Sequence, residues 1–142
     1  MTKLFKTYPF VVVLVLMALI FGLLSPTFLD PGNLSNILKQ ASLLGFVALG
    51  MCFVLIGGGI DLSVGSIVAL SSVLIAGLSA TLPPIVGIHI ALLAGIFIGI
   101  VNGYFVTAFK FQPIIVTLST MAIVRGIAMA YSDSRPILGT FP

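Results

Sequence analysis

The sequence has 142 residues, 60% of them apolar and only 6% charged, with six Lys or Arg set against three Asp for a formal net charge of +3. A mean hydropathy of +1.34 excludes a soluble globular domain, which carries about 25% charged residues. The same scarcity of polar groups excludes a disordered chain, a nucleic-acid-binding protein and a collagen-like fibre, so lipid is the solvent for most of this chain.

A membrane-spanning helix needs about 20 mostly apolar residues, and the charges and Pro/Gly clusters cut the chain into about five such stretches. The first covers residues 8–24, behind Lys3 and Lys6, and closes at Ser25-Pro26. Its basic flank and apolar core suit a signal peptide, but the small-x-small cleavage pattern is missing, so it reads as a retained span. A turn-rich stretch from Phe28 through Asp30-Pro31-Gly32-Asn33 follows. Leu34, Ile37, Leu38 and Ala41 then share a helical face opposite Asn36, Lys39 and Gln40. This is either an amphipathic helix at the interface or the start of the next span. Further spans are expected over residues 41–56, 64–82 (ended by Pro83-Pro84), 85–109 and 113–131. The scattered cations read as topology: with the amino terminus inside, Lys3, Lys6 and Lys110 are cytoplasmic and Lys39 and Arg135 lie outside. The expected fold is all-α, a polytopic transmembrane helix bundle forming a single membrane domain over residues 1–142, with a broken-helix turn at residues 57–66.

That turn is the most informative segment. Gly57, Gly58 and Gly59 in succession would cost a continuous helix about 1 kcal/mol each relative to alanine, so the second span ends there. Asp61 and Ser63 supply side-chain oxygens for the orphan amides at the start of the next helix, and Gly65 follows in its first turn. The alternative role for Asp61, an intramembrane carboxylate beside broken helix, is to line a substrate, ion or proton path. In the fourth span Ala91, Gly95, Gly99, Gly103 and Thr107 recur every four residues. Such a stripe lets another helix backbone approach closely. Asn102, one residue off the stripe, is placed to hydrogen-bond across a helix contact.

Arg125 is the one cation inside an expected span: it either snorkels or pairs with Asp61, Asp133 or a backbone carbonyl. Thr117, Ser119 and Thr120 offer hydroxyls to a polar solute or to their own helix. Asn102, Thr117, Thr120 and Arg125 are therefore the candidates for a translocation path. His89 has no ligand partner near it in sequence and reads as an interfacial histidine, and Cys52 reads as a small buried hydrophobe. The sequence shows no catalytic motif, no metal-ligand set and no cofactor fingerprint, so no catalytic residue, metal or cofactor is assigned to this chain.

The run Ser25-Pro26-Thr27-Phe28, the segment Asn33-Leu34 to Ile37-Leu38 and the string Gly57-Gly58-Gly59-Ile60-Asp61-Leu62-Ser63-Val64-Gly65-Ser66 resemble the permease subunits of ribose-type ATP-binding-cassette (ABC) sugar importers. Pro113-Ile114-Ile115-Val116-Thr117-Leu118-Ser119-Thr120-Met121, then Arg125-Gly126 and Tyr131 to Arg135-Pro136-Ile137, are similar to the family's next characteristic stretch. The resemblance implies a multi-pass inner-membrane subunit that carries a monosaccharide or related small polyol. It also implies a second permease copy, a cytoplasmic ATP-binding subunit that hydrolyses the ATP, and a periplasmic or extracellular sugar-binding protein. Family members are more than twice this length, so the resemblance implies an amino-terminal fragment. Two other readings stand beside it: an ion-coupled secondary carrier using Asp61, and a membrane assembly protein without transport activity.

Overall fold

A computed structural model describes residues 8–137, and these contain five α-helices and no strand. They are α1 (Pro9–Leu24), α2 (Pro31–Ile56), α3 (Val64–Leu78), α4 (Pro84–Ala108) and α5 (Pro113–Tyr131). Lys3 and Lys6, expected on the cytoplasmic side, lie outside the described residues. Helices α2, α4 and α5 are long and apolar enough to cross a membrane, whereas α1 and α3 are apolar but shorter, at 16 and 15 residues. At 1.5 Å per residue α3 is only about 22 Å long. The third stretch stops at Leu78 rather than Leu82 because the Ser79 amide caps onto Ile75 O and the Thr81 and Leu82 amides fold back onto Leu78 O.

Four of the five helices begin on proline, whose fixed φ suits the first helical position and whose missing N–H would have no partner there. Ahead of α2, Asp30 accepts the Gly32 amide on Oδ2 at 3.0 Å and the Leu34 amide on its carbonyl at 2.9 Å, so it caps the helix. α2 then runs unbroken for 26 residues, about 39 Å at 1.5 Å per residue. The segment from Leu34 to Ala41 is thus the start of this span and not a separate interfacial helix. Its length exceeds a hydrocarbon core of about 30 Å, which leaves the end bearing Asn33, Ser35 and Asn36 room to reach the interface.

The triple glycine ends α2 as a Schellman motif. Gly59 N–H bonds to Val54 O at 3.0 Å, Gly58 N–H bonds to Leu55 O at 2.9 Å, and Gly58 sits at φ +78°. A side chain at Gly58 would be strained by that left-handed backbone. The same device ends α5, with Ser134 N–H on Met129 O at 2.9 Å and Asp133 at φ 49° where α2 uses glycine.

Two compact units are distinguished, residues 1–48 and 49–142, the boundary falling within α2. In the first, Leu29 packs over Gly22, the Phe21 and Phe28 rings lie 5.8 Å apart, and Asn33 Nδ2 donates to Phe28 O at 2.8 Å. In the second, α3, α4 and α5 pack on one another. Gly87 of α4 faces Ile75 of α3, and Gly95 faces Ile67, so α4 runs antiparallel to α3. Thr117 meets Ile60 while Tyr131 covers Gly77, so α5 runs parallel to α3. Leu70, Val124 and Ala128 form the core, with Ile67, Leu74 and Ile98 against them.

Burial does not follow hydrophobicity here. Ser63, Ser66, Asn102 and Thr117 are buried, while neither α1 nor α2 has a buried residue. In lipid an apolar side chain gains little by turning inward, whereas a polar one must find a partner. Cys52 is accordingly exposed on α2, not buried as its apolar neighbours in sequence suggest.

Candidate functional site

The buried polar residues are connected. Asp61, two residues ahead of Ser63 in the turn that follows the glycines, accepts the Ser63 amide at 2.7 Å and the Ser63 hydroxyl at 2.6 Å, both on Oδ1. Asn102 Nδ2 of α4 donates to Ser63 Oγ at 3.1 Å, and Thr120 Oγ1 of α5 donates to Asn102 Oδ1 at 2.6 Å. Thr117 closes the same corner, donating to Pro113 O at 2.9 Å and reaching Ile60 O at 3.2 Å.

The direction of this relay is determined by its chemistry. Ser63 has one hydroxyl proton, and it is committed to the hydrogen bond donated to the Asp61 carboxylate. Asn102 must therefore present N–H and not C=O to Ser63, which turns its carbonyl oxygen toward the Thr120 hydroxyl. Each donor points one way, from Thr120 through Asn102 and Ser63 to Asp61, and the negative charge sits at the receiving end. Ser63 is fully buried and Asn102 is 6% exposed, a setting in which a polar group without a partner is costly.

Beside the relay lies a cavity of about 290 Å³ lined by Asp61, Asn102 and Thr117 together with Gly57, Gly59, Gly99 and Gly103. It exists because those glycines carry no side chains. A Cβ built on Gly99 or Gly103 would meet no atom within 4 Å.

These positions change the roles expected of several residues. Ser63 occupies the N-cap of α3, but its hydroxyl makes no cap bond there, being committed to Asp61. Asp61 stabilises the turn before the helix, not the helix's own first amides. The small-residue stripe of α4 divides. Ala91 is buried and Gly95 touches Ile67 of α3, whereas Gly99 and Gly103 bound the cavity. A Cβ on Gly65 would also meet nothing within 4 Å.

Arg125 is not brought to Asp61 or Asp133. It is exposed, lines a separate space with Gly65, Ser66 and Ala69, and makes no ion pair among the described residues. Ser119 turns back on its own helix, at 2.9 Å from Ile115 O. His89 is exposed and its Nδ1–H donates to Ile85 O at 2.7 Å.

Sequence reasoning left two features without a role. Ser66, within the glycine-aspartate string, is buried with its hydroxyl on Ser63 O at 2.7 Å, and its regular place in that string was the available signal. Gly77 admits the Tyr131 ring so closely that a Cβ there would lie 2.6 Å from it. A lone glycine in an apolar helix gives no sign of such a partner.

Residues 33–134 match the family of branched-chain amino acid transport system permease components. The chain belongs to this permease family. It is 49% identical over 127 residues to the ribose import permease protein of Bacillus subtilis, covering 89% of this chain and 39% of that protein. It is 40% identical over 133 residues to the ribose import permease protein of Haemophilus influenzae, covering 93% of this chain and 41% of that protein. The D-allose transport system permease protein of Escherichia coli is 36% identical over 133 residues, covering 89% and 40% respectively. The chain thus spans about two fifths of the length of these relatives. No solved structure matches it. Family membership and the long apolar helices make it a multi-pass protein of the inner membrane.

Proposed function

We propose that this chain forms part of the permease subunit of an ABC importer and lines the path of a monosaccharide through the membrane. The observation that carries this reading is 49% identity, over 89% of the chain, to a ribose import permease. The family description names branched-chain amino acids, but the site favours a sugar. An amino acid zwitterion calls for both a cation and an anion, and the cavity's lining holds one carboxylate, an amide and a hydroxyl with no basic side chain. A neutral polyol needs hydrogen-bond partners, and the cavity supplies those.

In this reading ATP is hydrolysed by a separate cytoplasmic subunit and the chain itself is neither an enzyme nor a cofactor carrier. A second permease copy completes the pathway, and a soluble sugar-binding protein delivers the substrate. Asn102 and Thr117 line the path, Thr120 holds Asn102 in place through its hydroxyl, and Ala91 and Gly95 hold α4 against α3, while Arg125 lines a separate space.

Deleting the coding gene from its host tests the proposal. High-affinity uptake of one monosaccharide is expected to disappear in the deletion strain. In the parent strain that uptake should persist under an uncoupler while ATP is maintained, and stop when ATP is depleted. Uptake that collapses with the uncoupler at normal ATP contradicts an ABC importer and favours the carrier reading. An unchanged uptake profile for every sugar favours the assembly reading.

A further inference from the structure

The turn-capping role of Asp61 uses only half of its carboxylate. Both bonds from Ser63 fall on Oδ1, and Oδ2 makes no hydrogen bond among the described residues yet is not sealed off as a buried atom. In a chain that lives in lipid, a charged oxygen without a partner is expensive. Asn102, lining the same cavity, donates one amide hydrogen to Ser63 and has a second that no described residue accepts. The Thr117 oxygen, whose proton is directed at backbone carbonyls, keeps lone pairs free.

A carboxylate oxygen and an N–H donor without partners among the described residues, and a hydroxyl oxygen with lone pairs free, therefore belong to residues that line one cavity. We propose that Asp61 Oδ2 and the Asn102 amide form a subsite for a pair of neighbouring hydroxyls on a neutral sugar. This rests on the importer reading and assigns the contact residues within it. One sugar hydroxyl donates to Oδ2 in a charge-assisted bond, and the adjacent hydroxyl oxygen accepts from Asn102. Gly99 and Gly103 leave the ring room to approach, and Val106 offers an apolar wall to its C–H face. The volume, about 290 Å³, falls just below the range of about 300–1,000 Å³ for small-molecule sites and suits a ligand as small as a monosaccharide.

A cation is the competing occupant, and the relay argues against it. Ser63 forces the Asn102 amide to turn N–H and not C=O toward it, so Asn102 brings positive dipole into a place where a cation would require oxygen. Among the described residues no three His, Cys, Asp or Glu cluster in a way that holds a metal ion.

The test measures D-ribose binding to the full chain in lipid nanodiscs by saturation-transfer NMR. Asp61→Asn preserves an oxygen for both Ser63 bonds but turns the free acceptor into a donor. It should weaken ribose binding about tenfold, the loss expected for one hydrogen bond to a charged group. Gly103→Leu fills the cavity from a position where an added Cβ meets nothing, leaving every relay bond untouched, and should reduce binding at least as much. It keeps the test decisive if the Asp61 variant folds poorly. Both variants should retain wild-type helicity by circular dichroism. Ribose binding that neither variant changes, no ribose binding to the wild-type chain, or displacement of ribose by sodium would each overturn the subsite. Because the host deletion reads uptake and this experiment reads binding, the subsite can fail while the importer reading stands, and the reverse.

Discussion

Asn102→Leu should lower the stability of the chain in bicelles by about 1–3 kcal/mol, read from denaturant-dependent loss of helicity. Leucine keeps the branching of asparagine and is the larger side chain, so no void opens and the cost combines the lost relay with some crowding at a buried site. The substitution leaves the Thr120 hydroxyl without its acceptor and Ser63 Oγ without its donor. The upper part of the range is moderated because Thr120 can rotate onto a carbonyl of its own helix. Thr120→Val, which removes one bond only, should cost less, in keeping with about 0.6 kcal/mol for an average hydrogen bond between membrane helices. Leu93→Ala, at a position 65% exposed to lipid, is the control. Equal effects for Asn102→Leu and Leu93→Ala would mean that the relay contributes nothing to the fold.

A second large effect is expected at Gly87. A Cβ there would sit 3.3 Å from Ile75 Cα and 3.5 Å from Ile75 O, so the obstacle is backbone that no rotamer change can clear. Gly87→Leu must therefore push α3 and α4 apart, at about 3 kcal/mol or more, the top of the range for overpacking. Gly99→Ala lies on the same helix and adds its methyl group to open space. It should change stability by no more than about 0.5 kcal/mol. Thermal unfolding of the two variants side by side distinguishes a packed glycine from one that bounds a cavity. Equal losses would show that α4 packs along its whole length.

Several helix ends were legible because they are local chemistry, whereas the start of α2 at Pro31 and the end of α3 at Leu78 were not. Pro113 and the residues after Tyr131 bracket α5 as the pattern of charges and apolar residues indicates, and the glycines at residues 57–59 stop α2 through a backbone conformation that sequence alone suggests. What joins the helices was less legible. Ser63 and Asn102 are 39 positions apart and Asn102 and Thr120 are 18, so their pairing depends on the antiparallel register of α3 and α4 and on how α5 docks. No sequence period encodes that register. Asn102 was identifiable as a residue in need of a partner, but not Ser63 as that partner. The expectation for Cys52 failed for a different reason: burial preferences drawn from proteins in water do not apply to a helix such as α2, whose apolar side chains face outward. Gly99 stands on the four-residue stripe, but spacing does not say whether a neighbour occupies the groove, and none lies within 4 Å of a Cβ there.

Grafting is the most direct test of the chain's place in a sugar importer. The matching segment of the Bacillus subtilis ribose import permease is replaced by this chain in a strain without its own ribose permease, and the initial rate of radiolabelled ribose uptake is measured. Uptake well above the permease-deficient background is expected. Background uptake with the grafted protein present in the membrane at the normal level would contradict the importer reading.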